Sequence, residues 1–130
     1  MADKDITVVF YRRNFLADKW RQLVDTAALA TMFEALTAEL APLGYRLQRL
    51  DDAAMSMDIN GYGDLLNSVR LRAPQQGIGN MCLGHVIGAS RNLNLAEDIR
   101  RGVNRVAFAP ETIEPEGSDK VVCHNCGCGC

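Results

Sequence analysis

Ile6-Thr-Val-Val-Phe-Tyr11 is a run of β-branched and aromatic residues without polar alternation, which is how a strand buried on both faces reads. It predicts a central strand, and the rest of the chain can be placed around it. After Arg12-Arg13, the apolar residues Leu16, Trp20, Leu23 and Val24 recur at spacings of three and four. Leu29, Met32, Phe33, Leu36 and Leu40 continue one stripe up to Pro42 and Gly44. This pattern predicts one bent helix or two, broken near Asp25-Thr26. Tyr45 to Leu50 alternates as a second strand, and Val69-Arg-Leu-Arg-Ala73 as a third. In the third strand Val69, Leu71 and Ala73 share one face, and Arg70 and Arg72 lie on a solvated one.

Asp58 to Gly63 carries turn chemistry, and Ala73 to Gly79 reads as a loop. From about Asn80, the residues Met81, Leu83, Val86 and Ile87 suggest a helix, which Gly84 and Gly88 weaken by about 1 kcal/mol each relative to alanine. A stronger helix follows, with Asn94 as N-cap, Glu97 three residues on, a stripe of Leu95, Ile99 and Val103, and Gly102 available as a cap. Arg105 to Phe108 then adds a last strand. The order strand, helix, strand, strand, helix, strand predicts an α/β (α+β) fold. It is expected to be a single small domain with a three- to four-stranded mixed sheet and flanking helices, thioredoxin-like or ferredoxin-like. The expected divisions are a compact domain over 1–109, an acidic Pro/Gly linker over 110–122 and a flexible Cys-rich tail over 123–130.

The bulk properties narrow the function. With 48% apolar and 23% charged residues the chain is expected to be a soluble globular protein, and a net charge of −2 argues against a nucleic-acid partner. The N-terminus shows no signal-peptide core, and no stretch nears the ~20 apolar residues of a membrane helix. The expectation is a cytoplasmic protein with no membrane partner. Four of the five cysteines fall within the last eight residues, whereas a disulfide framework would spread them over the chain. In a reducing compartment they are thiols, suited to metal or redox chemistry.

Cys123-His-Asn-Cys126 has the spacing that lets one turn bring two sulfurs onto one ion, and Cys128 and Cys130 add two thiolates on a backbone loosened by Gly127 and Gly129. Four soft donors suit zinc, copper(I) or iron, including an iron–sulfur cluster, far better than magnesium or calcium. His124 can add a nitrogen or stand outside the ligand set. Cys123-x-x-Cys126-x-Cys128, preceded by valines, resembles over six residues the metal-binding loop of the nitrile hydratase α subunit. That resemblance implies Cys123, Cys126 and Cys128 as sulfur ligands, with the backbone amides of Gly127 and Cys128, around a low-spin iron or cobalt. This sequence departs from the family at Gly127, where the family has serine.

Elsewhere, Cys82 and His85 stand three residues apart and are candidate additional ligands that could pin the tail to the domain; the alternative is a small buried cysteine beside a partly exposed histidine. Three functions are open. The first is a non-enzymatic metal-handling protein, metallochaperone-like, that delivers its ion to a recipient protein. The second is a precursor whose tail a modifying enzyme alters after recognising the folded domain. The third is a thiol oxidoreductase or sulfur carrier, which requires a thiolate of depressed pKa. The sequence leaves the metal's identity and the oligomeric state open.

Overall fold

The computed structural model describes residues 4–88 and 93–113. The run that opens the fold lies within β1 (Lys4–Phe15), which is flanked on both sides in a four-stranded sheet. The other strands are β2 (Tyr45–Ile59), β3 (Val69–Ala73) and β4 (Ile78–Cys82), in the spatial order β2-β1-β3-β4. β1 and β2 are parallel, with Lys4 opposite Tyr45 and Tyr11 opposite Asp52. β3 is antiparallel to β1, with Val8 opposite Leu71, and β4 is antiparallel to β3. A directly paired parallel βαβ unit followed by an antiparallel hairpin fits the thioredoxin-like order. The ferredoxin-like alternative would insert a strand between the two parallel ones.

Among the described residues five helices accompany the sheet: α1 (Asp18–Arg21), α2 (Thr26–Leu40), α3 (Tyr62–Ser68), α4 (Leu83–Ile87) and α5 (Leu95–Phe108). The break expected near Asp25 is a cap, since the Asp25 carboxylate accepts the Ala28 N–H at 3.0 Å and starts α2. α2 buries Leu29, Met32, Leu36 and Leu40. It ends in a 3-10 turn over Ala41–Leu43, and Gly44 at φ 88° reverses the chain into β2, a conformation that glycine adopts without strain. α5 starts as the sequence predicts, with the Asn94 side chain accepting the Glu97 N–H at 3.1 Å.

The two faces of the sheet differ. Ile6, Val8 and Phe10 of β1 and Val69, Leu71 and Ala73 of β3 join the buried stripes of α2 and α5 in one core. The opposite face carries Val9, Tyr11, Arg70 and Cys82, all buried, so the central strand is covered on both sides as its composition predicts.

Four local expectations are corrected. Arg105 to Phe108 is the last turn of α5, because Val103, Val106 and Ala107 continue the stripe begun by Ile99. Gly102 lies inside α5, where an added Cβ would sit 2.5 Å from Leu83 Cδ1, so it serves close packing rather than capping. Asn80 to Cys82 belongs to β4, with helix only from Leu83. Arg70 is fully buried, not solvated. Past α5, Pro110–Thr112 forms a 3-10 turn and Ile113 is buried in the core. No helix among the described residues is long and apolar enough to cross a membrane.

Candidate functional site

Cys123, His124, Cys126, Cys128 and Cys130 lie outside the described residues, so the thiol cluster rests on its sequence spacing. Within the domain, Cys82 ends β4 and caps α4. Its Sγ accepts the backbone N–H of His85 at 3.3 Å, and the residue has no exposed surface. His85 is partly exposed. Sequence proximity therefore does bring the two together, through the sulfur and a backbone amide, and the thiol is turned into the core. Among the described residues no group of three histidine, cysteine, aspartate or glutamate side chains is placed to hold a metal ion.

Arg70 organises the polar side of the sheet. Its Nε donates to the Asn67 carbonyl at 3.1 Å and its Nη2 to the Asn67 side-chain oxygen. Asn67 lies in the last turn of α3, so the guanidinium meets carbonyl oxygen at the negative end of a helix. The Arg70 guanidinium also stacks on Tyr11, 5.4 Å from the ring centroid, and the Tyr11 hydroxyl accepts from Asn80 Nδ2 at 3.2 Å. Arg72 Nε donates to Asn80 Oδ1 at 3.0 Å. Three strands and one helix are thus tied together by neutral acceptors around a buried cation.

A different arrangement occurs where β1 and β2 lose register. Tyr11 faces Asp52, but the next residue, Arg12, faces Ser56, so residues 53–55 of β2 bulge without a partner in β1. The slip leaves a cleft of about 310 Å³ whose walls include Phe10, Arg13, Phe15, Asp51 and Ala53. The Arg13 guanidinium lies between two rings, 5.6 Å from the centroid of Phe10 and 5.9 Å from that of Phe15. Arg49 stacks on Phe10 at 4.4 Å and Arg21 on Phe15 at 4.9 Å. Burial pushes the Arg13 guanidinium below the usual arginine value, Arg49 pushes it the same way, and Asp51 opposes both. It still carries its charge at neutral pH. Its Nη1 is buried with no hydrogen-bond partner.

Sequence reading passed over Arg13 as the end of a strand. The available signal was an arginine pair flanked by aromatics, Phe10-Tyr11-Arg12-Arg13-Asn14-Phe15, but the cleft itself depends on a register slip that no local pattern reveals. Comparison of the chain with family models, curated proteins and solved structures gives no match.

Proposed function

We propose that the protein handles a soft metal ion in the cytoplasm and passes it to a recipient protein. In this reading Cys123, Cys126, Cys128 and Cys130 present four thiolates on the C-terminal tail, and the α+β domain docks on the recipient. The observation that carries the reading is the cysteine distribution. Four thiols crowd into eight residues at one end, and the fifth, Cys82, is buried as a helix cap. A delivery protein gains from this division, because ligands outside a packed core can be exchanged one at a time with the recipient's thiolates. The acidic stretch that precedes the tail carries four acids against one lysine over residues 111–122, and it supplies a polar spacer between domain and thiols.

The test is anaerobic expression of the full chain and of a form ending at Ser118, with elemental analysis and a visible spectrum of each. Near-stoichiometric metal in the full chain and none in the shorter form is the expected result, and the element distinguishes zinc, copper and iron. If neither form carries metal, delivery is excluded. Mass spectrometry of protein from its native host then decides between a tail covalently modified by a partner enzyme and one that acts as a thiol reagent.

A further inference from the structure

We infer that the cleft at the β1–β2 slip binds a small organic carboxylate with an apolar body, anchored by Arg13. A guanidinium nitrogen taken out of water without an acceptor costs free energy, and buried polar groups are satisfied so regularly that an exception points to an absent partner. Nη1 of Arg13 is such an exception.

Arg13, Arg21 and Arg49 gather around Phe10 and Phe15, and the two acids that line the cleft beside Arg12 and Arg13, Asp51 and Asp52, are already engaged. Asp51 pairs with Arg49 at 3.5 Å, and the Asp52 carboxylate accepts the Ala54 N–H at 3.1 Å. The space has the right scale as well, since about 310 Å³ is at the lower end of the range for small-molecule sites. A carboxylate matches the planar guanidinium fork, and an apolar body attached to it would lie against Phe10, Phe15 and Ala53. A bare phosphate would make the ion pair and leave those walls unfilled. The cleft belongs to the folded domain and stands whether or not the tail binds metal.

If Arg13 is kept for a ligand, it is kept at a cost to the empty domain. Arg13→Met retains the stem and removes the unpaired Nη1 donor, so it should raise the melting temperature while it abolishes binding. Arg13→Lys keeps the charge and loses the fork. The experiment titrates the full chain and both variants with phenylacetate, acetate and inorganic phosphate at constant ionic strength. Binding is followed by calorimetry and by the Arg13 Nε–H resonance.

The expected result has four parts. Phenylacetate binds saturably and shifts that resonance, and acetate binds at least about tenfold more weakly. Arg13→Lys weakens phenylacetate by about tenfold, and Arg13→Met removes binding while melting about 2–5 °C higher. Absence of saturable phenylacetate binding overturns the site, as does undiminished binding in either variant. Tighter binding of phosphate than of phenylacetate overturns the carboxylate assignment. A lower melting temperature for Arg13→Met shows that the guanidinium is structural and overturns the site too. If Arg13→Met does not fold, the affinity of Arg13→Lys decides.

Discussion

At the scale of single residues, two cations of the sheet, Arg70 and the partly buried Arg13, behave differently. Arg70 is fully buried, and none of the ion pairs among the described residues includes it, yet its donors reach carbonyl and amide oxygens. Its stabilisation comes from the end of α3 and the face of Tyr11. Arg70→Ala leaves those acceptors unmet and a void beside Tyr11, so a loss of about 3 kcal/mol is expected in denaturant unfolding.

Gly102 is a second sensitive position. Alanine would gain up to about 1 kcal/mol of helix propensity, but its Cβ would meet Leu83 Cδ1 at 2.5 Å with Leu71 Cδ1 at 3.2 Å beside it. Both leucines are fully buried, so overpacking wins and Gly102→Ala should destabilise by about 1 kcal/mol net.

Glu97 gives a pH signature. Its hydrogen bond from Arg100 holds its carboxyl below the ordinary glutamate value. With a folded pKa lower than the unfolded one, the pair stabilises above the unfolded value, and that contribution is lost as pH falls through the folded one. Because the pair is solvent-exposed, Glu97→Gln is expected to cost only about 0.3 kcal/mol at pH 7 and nothing near pH 2, read by urea unfolding at both. The alternation of Val69, Leu71 and Ala73 was legible one residue at a time. The burial of Arg70 was not, because alternation assigns a residue to a face without saying what lies over that face.

At the scale of elements, long stripes read well and boundaries set by distant partners did not. α5 begins at the cap its sequence announces and α2 at the break expected near Asp25, and Asn94→Ala should cost about 1 kcal/mol, measured as a shift in the unfolding midpoint. Arg105 to Phe108 reads locally as a short strand, but Val103 and Val106 are one helical turn apart on a stripe already packed on the core. Periodicity over fourteen residues overrides a pattern of four. β2 extends to Ile59, well past the alternating Tyr45 to Leu50, because the second half of β1 supplies it with a partner at Ser56 and beyond. That contact joins residues more than forty apart, and the cleft exists because of it.

At the scale of the whole molecule, the mixed sheet with flanking helices followed from the order of elements. The thioredoxin-like arrangement needed the observed pairing of β1 with β2. The two proposed sites differ in legibility for a similar reason. Cysteine density is visible in one dimension, and a pocket made by two strands losing step is not. Among the described residues the core extends to Ile113, so the form ending at Ser118 is expected to unfold cooperatively with a melting temperature within about 2 °C of the full chain, by circular dichroism.

The strand order also constrains the life of the chain on the ribosome. β1 is the central strand and the first one made, but its antiparallel neighbour β3 ends at Ala73, 62 residues after Tyr11. At about 5–20 residues per second, roughly 3–12 s pass between the synthesis of the most aggregation-prone segment and that of the strand that completes its pairing. Over that interval Ile6 to Tyr11 is a nascent β-segment with an open edge, and its safe passage depends on how quickly β3 follows or on a chaperone that holds it.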